Sequence, residues 1–368
     1  MTFVTNAWYG AIWSQDLGDQ PVARRILDRP LVLFRTQTGK IAVLEDACPH
    51  RFAPLHLGQV VDDAIRCPYH GLEFNSDGKC VRNPHNAGRI PPAAKVKSYI
   101  AEERYGMVWV WLGHQKADTD LIPDYSIFER MDTSARSKQD WLIIKANYVL
   151  VIENLLDLSH VAVLHEGVLG NAETMNADIS VSEDEEGLCV DRIMPDVPPP
   201  ELVQVLFPDN AGRVDHWATI RLMGVSSLLN DTGATRVGAP REEGAGMHGA
   251  HILAPIDEVT TLYHFCAVRW AAGGVDGSDP QVREKLSSLR RIAFAEQDGP
   301  IMEAQQRALL DSAIDTSRPA LFDIDAGPAR FQRRMQTLLK REIAAASTST
   351  RDDSGEASVR SSPRTSAS

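Results

Sequence analysis

The sequence predicts an α+β protein in which a small all-β domain precedes a larger domain of mixed helices and strands. Over residues 8–112, short β-prone runs alternate with turn residues such as Asp77-Gly78. Helical periodicity over 147–164 and 279–310 then alternates with strand-like runs. The chain has 368 residues, whereas single cores stop growing at roughly 250 to 300 residues. We therefore expect two domains.

Composition separates the segments of the chain. Residues 113–139 are polar and aperiodic, which predicts a connector, and the second domain follows over 140–345 with strands predicted at 219–229 and 259–270. The Gly-rich stretch 238–249 predicts a loop that covers a pocket. Residues 346–368 contain almost no large apolar side chains and cannot offset the entropy of ordering, so we expect a disordered tail.

Charge and cysteine usage exclude several classes of protein. A net charge of -12 with no basic stripe disfavours nucleic acid as a partner. No run reaches the ~18 apolar residues of a membrane span, and the first residues lack signal-peptide features. We expect a cytoplasmic protein without membrane contact. Five cysteines make a disulfide framework improbable, and cysteines that cluster with histidine usually bind metal or perform chemistry.

Two short segments of the first domain each combine one cysteine with one histidine. Cys48 and His50 form a Cys-x-His pattern, and Cys67 and His70 form Cys-x-x-His after an interval of sixteen residues. Two thiolates and two imidazoles suit either a structural zinc or a [2Fe–2S] cluster with two Cys on one iron and two His on the other. Because each segment contributes one ligand of each kind, the spacing favours the cluster.

Four polar side chains interrupt an apolar helical run in the second domain, namely Asn154, Asp157, His160 and His165. The first three are spaced by three residues and share a helix face. Such groups are costly in an apolar environment unless they have partners. On a straight helix, side chains five residues apart point about 140° apart. His160 and His165 can therefore reach one ion only if the helix ends or is distorted between them.

A carboxylate would complete a facial triad with the two histidines and leave positions open on Fe(II) for O₂ and substrate. The helical run that begins at Ala293 contains two candidates, Glu296 and Asp298. Both satisfy the spacing. The residues alone leave this choice open.

These motifs together resemble the Rieske non-haem iron oxygenases. The flanking Arg51 and Gly71 fit the cluster motif, and Asn-x-x-Asp-x-x-His-x-x-x-x-His with a late aromatic-then-Asp helix fits the catalytic motif. The resemblance covers almost the whole chain. It implies a Rieske domain over 1–112 and an α+β helix-grip catalytic domain with a mononuclear iron site.

The resemblance also implies ligands. Cys48 and Cys67 would bind the buried iron of the cluster, and His50 and His70 the outer one. Fe(II) would be bound by His160, His165 and Asp298. The resemblance thus resolves the choice between Glu296 and Asp298 in favour of Asp298.

Further roles follow from the same resemblance. Asp157 would hydrogen-bond both His160 and a Rieske histidine of the neighbouring subunit in a homotrimer, and Asn154 would lie just outside the coordination sphere. Asn230 and His251 would contact substrate. Leu289 stands where the family has a Trp, which leaves the substrate undefined. Four histidines without a partner pattern are assigned to the surface or to local hydrogen bonds, namely His56, His85, His114 and His216.

The implied activity is that of an oxygenase component. Electrons would pass from a separate reductase, alone or with a ferredoxin, through the cluster to Fe(II), and one atom of O₂ would enter an aromatic substrate. The chain has no GxGxxG fingerprint, so NAD(P)H and flavin are expected on the partner. We expect O-demethylation or methyl hydroxylation of a benzoate-type compound. The alternatives are ring hydroxylation, a Rieske electron carrier without its own chemistry, and a zinc-ribbon protein; a carrier would need only the first ~110 residues.

Overall fold

The N-terminal domain contains two antiparallel sheets. The computed structural model describes residues 3–131, 133–184, 187–208, 212–272 and 279–355. The strands of the first domain, in chain order, are β1 (Trp8–Trp13), β2 (Val22–Ile26), β3 (Arg29–Arg35), β4 (Ile41–Glu45), β5 (Gln59–Val61), β6 (Ala64–Arg66), β7 (Glu73–Asn75), β8 (Cys80–Arg82), β9 (Ser98–Arg104) and β10 (Met107–Trp111). One sheet has the order β1-β10-β9-β4-β3-β2 and the other β5-β6-β7-β8.

Local sequence explains the tightest hairpin of this domain. Strands β9 and β10 are joined by Tyr105 and Gly106, which both have positive φ (58° and 73°). A two-residue turn of this kind matches the twist of the flanking strands. Every residue of β10 is buried. The predicted all-β first domain is confirmed.

A single antiparallel sheet of seven strands forms the centre of the second domain. Its strands are β11 (Asp140–Ile144), β12 (Asp178–Glu183), β13 (Gly187–Val197), β14 (Val214–Met223), β15 (Ser227–Arg236), β16 (Ala245–Asp257) and β17 (Thr260–Ala271). Their spatial order is β11-β17-β16-β15-β14-β13-β12. Successive residues of a strand face opposite sides of the sheet. Ala250 and Ile252 pack with tryptophans of the first domain, whereas Gly249 and His251 line a pocket on the other face.

Helices cover the pocket face of this sheet, as the α+β prediction requires. Helix α1 (Ile127–Arg130) lies on the opposite face, with the tryptophans of the first domain. The other helices are α2 (Tyr148–Leu156), α3 (Val161–Leu164), α4 (Glu201–Leu206), α5 (Pro280–Arg291), α6 (Gly299–Leu310) and α7 (Ala326–Gly355), with a π-helical segment, Ile292–Asp298, between α5 and α6. Helices α2 and α4 contact β15 or β16, and α7 contacts β13. None of the helices in the described ranges is long and apolar enough to cross a membrane.

The segment predicted as a connector contains structure of its own. Residues 113–139 contain α1, and Ile122, Tyr125 and Phe128 are buried in a cluster shared with tryptophans of the first domain. The Tyr125 hydroxyl donates to the backbone carbonyls of Leu228 and His251. This segment therefore packs the second sheet against the first domain.

Three other predicted segments differ from the structure. The stretch 219–229 contains a turn at Gly224 between β14 and β15, where φ is 64°. Of the predicted loop 238–249, residues from Ala245 onward belong to β16, where Gly246 lies opposite the bulky Trp270 of β17. Helix α7 continues to Gly355, beyond the predicted start of the tail at 346, and residues 356–368 lie outside the described residues.

Candidate metal centres and active site

Two loops of the first domain bring the four cysteine and histidine side chains together. The loop after β4 closes on Cys48, whose carbonyl accepts from the N–H of Phe52. The loop between β6 and β7 closes on Cys67 in the same way, through the N–H of Gly71. Gly71 has a φ of 72°, a conformation that favours glycine.

The donor set of these loops fits a [2Fe–2S] cluster. Cys48 and Cys67 are both almost fully buried, and burial together with the neighbouring thiol of Cys67 raises the pKa of Cys48 to about 11. A thiol with a raised pKa becomes a thiolate only against a strong positive charge, which iron supplies. His50 and His70 lie at the rim, with ring centroids 4.5 Å apart. The sulfur side is therefore enclosed and the imidazole side is open.

A break in the helical run positions the two histidines of the second domain. Helix α2 ends at Leu156, and the short helix α3 begins after His160 and ends before His165. The two histidines thus flank a single helical turn, and the Nε2 atoms lie 3.2 Å apart. The helical run is interrupted before His160, between α2 and α3. As expected, the helix also ends between the two histidines, because His165 departs from helical geometry (φ -107°, ψ 30°).

Asp298 supplies the third donor. Its Oδ1 lies 3.5 Å from Nε2 of His160 and 3.2 Å from Nε2 of His165. Donors held about 2.1 Å from one ion at right angles lie about 3 Å apart, so the geometry fits a facial triad. Asp298 is buried and Glu296 is exposed. Of the two carboxylates, only Asp298 can therefore join this group.

A π-helical segment presents Asp298 to the histidines. Residues Ile292–Asp298 form this segment within an otherwise α-helical run. Short π-helical segments within α-helices are frequent at functional sites. Here Phe294 and Asp298 are both buried on the side of the pocket.

Neighbouring amides hold the triad in place. Nδ2 of Asn154 donates to Oδ1 of Asp298 at 3.1 Å, and Nδ1 of His165 donates to Oε1 of Gln297 at 2.8 Å. The second bond directs Nε2 of His165 toward the metal position. Burial lowers the pKa of His165, but its hydrogen bond to Asp298 and the charge of that carboxylate outweigh burial and raise the pKa overall.

Asp157 is arranged differently from the expectation. Its Oδ1 accepts hydrogen bonds from the backbone N–H and the hydroxyl of Ser159, and its carboxylate makes no hydrogen bond to His160 in the described structure. The backbone and the charge of Asp157 still act on the His160 ring. The reason is local, since an Asp at the end of α2 readily accepts from the N–H two residues ahead. Nδ1 of His160 is buried without a hydrogen-bond partner among the described residues.

A mostly apolar pocket adjoins the triad on the pocket face of the sheet. All three triad residues and Asn154 line it. Asn230 and His251 do so as well, from β15 and β16. Nδ1 of His251 lies 2.5 Å from the Tyr263 hydroxyl, and burial followed by the charge of Arg290 lowers the pKa of His251 to about 3. His251 is therefore neutral in the folded protein.

Sequence reasoning missed several residues of this site. His216 was assigned to the surface or to local bonding, yet it is buried and lines the pocket while Nδ1 donates to the carbonyl of Gly233. Arg192 and Arg290 also line it. No motif marks these three residues, because sheet pairing brings Arg192 and His216 to the pocket and the packing of α5 brings Arg290 there. Gln297 could have been found, since it lies between the two carboxylates already considered.

Comparisons with known proteins agree with this arrangement. Residues 7–99 match the Rieske [2Fe-2S] domain, and residues 144–341 match the vanillate O-demethylase oxygenase C-terminal domain. The oxygenase component of dicamba O-demethylase from Stenotrophomonas maltophilia is 36% identical, covering 94% of this chain and 100% of the relative. The oxygenase component of chloroacetanilide N-alkylformylase from Rhizorhabdus wittichii is 33% identical, with 92% and 97% covered.

Solved structures show the same fold. Dicamba monooxygenase bound to dicamba superimposes with a TM-score of 0.86 at 33% identity, covering 94% of this chain and 100% of the other. A Rieske cluster domain followed by a mononuclear iron domain defines the Rieske non-haem iron oxygenases. The chain belongs to this family, and its catalytic domain is of the vanillate O-demethylase oxygenase type. It is therefore a Rieske-type oxygenase, and its relatives are named as oxygenase components or subunits.

Proposed function

We propose that this oxygenase oxidises a methoxy or methyl group of a substituted benzoate-type compound, with O-demethylation as the first candidate reaction. The observation that carries the proposal is the triad of His160, His165 and Asp298 at the wall of a mostly apolar pocket. Such a pocket suits an aromatic ring held by a few polar groups. The named activities of similar proteins, dicamba and vanillate O-demethylation, support the type of bond attacked.

The roles of the metal ligands form part of the proposal. Cys48, His50, Cys67 and His70 hold the cluster, and the triad holds Fe(II). When bound, the cluster supplies electrons one at a time and Fe(II) supplies the chemistry of O₂ activation. We divide the chain accordingly into a Rieske domain (1–112), a connector (113–139) and a catalytic domain (140–345).

The surrounding residues orient the metal ligands, enclose the reacting carbon and contact the substrate. Asn154 and Gln297 fix the orientation of Asp298 and of the His165 ring. Leu155, Leu158 and Phe294 keep the reacting carbon in an apolar environment. Asn230 and His251 offer polar contacts to the substrate from the sheet. Asp157 would link the triad to the cluster of a neighbouring subunit in a homotrimer, with its second carboxylate oxygen left for that contact.

The stoichiometry of the proposed reaction is defined. One aryl methyl ether, one O₂, two electrons and two protons give one phenol, one formaldehyde and one water. The two electrons come from NAD(P)H through a flavin-containing reductase, with or without a ferredoxin. We propose that the system operates in the cytoplasm, where the cluster cysteines meet a reducing environment.

A panel of matched substrates tests this proposal. We expect the oxygenase, with a surrogate reductase, to release formaldehyde in equal amount to O₂ consumed when it is given a methoxybenzoate. The corresponding methylbenzoate should give a benzylic alcohol without formaldehyde, and unsubstituted benzoate serves as the control for uncoupled O₂ uptake. Ring-hydroxylated products from the methoxy and methyl substrates would contradict the proposal and favour the ring-hydroxylating alternative.

A further inference from the structure

Arg192 is a buried cation in the wall of the substrate pocket. It lies on β13, is 1% exposed and lines the same pocket as the triad. Its Nη2 donates to the backbone carbonyl of Thr174, and its Nε has no hydrogen-bond partner among the described residues. No carboxylate in the described part of the chain lies within ion-pair distance of it. Few groups within this subunit therefore compensate the positive charge of Arg192.

Burial of such a charge is unfavourable unless something pairs with it. Burial lowers the pKa of Arg192 to about 10, and the charge of Asp157 opposes this shift only in part. Even this lowered pKa lies well above 7, so Arg192 remains protonated at neutral pH. A buried guanidinium with an open donor is matched by an anion that presents two oxygens, such as a carboxylate or sulfonate.

The sheet places Arg192 far from the polar residues already assigned to the substrate. Arg192 pairs with Ala218, which pairs in turn with Thr232 on β15. Thr232 pairs with Met247 on β16, and His251 lies four residues beyond Met247 on the same face of that strand. Four residues span roughly 13 Å along a strand. Arg192 and His251 therefore occupy opposite corners of the pocket wall, and neutral His251 offers no charge to an anion.

A second buried guanidinium in this pocket has other compensation. Arg290 is 3% exposed, but its guanidinium carbon lies 5.2 Å from the ring centroid of Phe265 and 5.6 Å from that of Phe294. Its Nη1 also donates to the Ser137 hydroxyl at 3.2 Å, although its Nη2, like Nε of Arg192, has no hydrogen-bond partner among the described residues. The two aromatic rings, which Arg192 lacks in the described part of the chain, are therefore what separates the two guanidinium groups. Aromatic faces stabilise a cation. Arg290 is thus the internal comparison for Arg192.

We propose that Arg192 binds the anionic group of the substrate, so that the oxygenase selects aromatic carboxylates or sulfonates at a corner of the pocket distinct from Asn230 and His251. This inference rests on the proposed function for the identity of the pocket and names the charge class of its ligand. It requires no change in the reaction at the iron.

The test compares a methoxybenzoate with its neutral isostere, the corresponding methoxybenzamide. Binding to the oxygenase carrying both metal centres is measured by calorimetry without O₂, and kcat and KM are measured separately. We expect the wild type to bind the benzoate roughly 30-fold more tightly than the benzamide. Arg192→Met should abolish this preference mainly through Kd and KM, and Arg192→Lys should restore part of it. Arg290→Met, at the other cation of the pocket, can weaken both ligands but should keep the ratio of their affinities.

Several outcomes would overturn the inference. These are no preference in the wild type, equal weakening of both ligands in Arg192→Met, or loss of the preference in Arg290→Met. Equal loss of turnover on both ligands with unchanged binding would show that Arg192 acts through Asp157 instead. If Arg192→Met does not fold, Arg192→Lys decides by the same ratio. An Arg192-dependent preference without formaldehyde release would leave the anion site standing and refute O-demethylation.

Discussion

Replacement of Asp298 by alanine is expected to remove the mononuclear iron and lower turnover by at least roughly 1000-fold, because a metal centre supplies several kcal/mol of transition-state stabilisation. Asp298 is the only carboxylate in the group formed with His160 and His165 within the described residues. Its loss leaves two neutral imidazoles to hold a divalent ion. The cluster lies in another domain, so its visible spectrum should be unchanged. Iron content and turnover on one preparation measure both effects.

Glu296→Ala is the matched control for this experiment. Glu296 lies on the same π-helical segment, two residues away, and its side chain is exposed. The variant should keep its iron and its activity within about twofold, since exposed substitutions rarely have larger effects. If Glu296→Ala lost the iron and Asp298→Ala retained it, the assignment of the triad would be wrong.

Asp157→Asn is expected to retain both metal centres and to lower turnover about 100-fold. Asparagine preserves a side-chain oxygen that can accept from the N–H of Ser159, so the turn after α2 should survive. The substitution removes the negative charge of Asp157. In the proposed homotrimer this charge would attract the N–H groups of His160 and of a cluster histidine in the neighbouring subunit. Residues that orient metal-bound histidines typically contribute 10- to 100-fold to activity.

A single-turnover experiment locates this defect. The cluster is reduced chemically, the reductase is omitted, and cluster oxidation is followed after O₂ and substrate are added. We expect this oxidation to slow in Asp157→Asn by about the same factor as turnover. Asp157→Ala, which also loses the turn, shows how much of the effect is structural. Normal cluster oxidation in Asp157→Asn would remove Asp157 from the electron path.

The parts of the site that the sequence predicts are those with short, chemically marked spacing. Cys48, His50, Cys67 and His70 lie in two compact loops, so their chemistry can be inferred without a fold. The histidines of the catalytic domain were predicted as a pair for the same reason. The choice between Glu296 and Asp298 could not be made from spacing, because it depends on a π-helical segment that no local pattern reveals.

Residues brought together by sheet pairing were not predictable. Arg192 and His216 lie on neighbouring strands and meet the triad only after seven strands have paired in register. The glycines of β16 suggested a loop, whereas in the sheet Gly246 makes room for the side chain of Trp270. Asp157 illustrates the opposite case: its position was predicted from a resemblance, but its local bond to Ser159 follows from turn chemistry.

Metal and sulfide analysis of the purified wild-type protein tests the central claim most directly. The two donor sets predict about three iron atoms and about two acid-labile sulfides per chain, with the visible absorption of a Rieske cluster. A colourless protein that contains zinc, without iron or sulfide, would contradict the account at both sites.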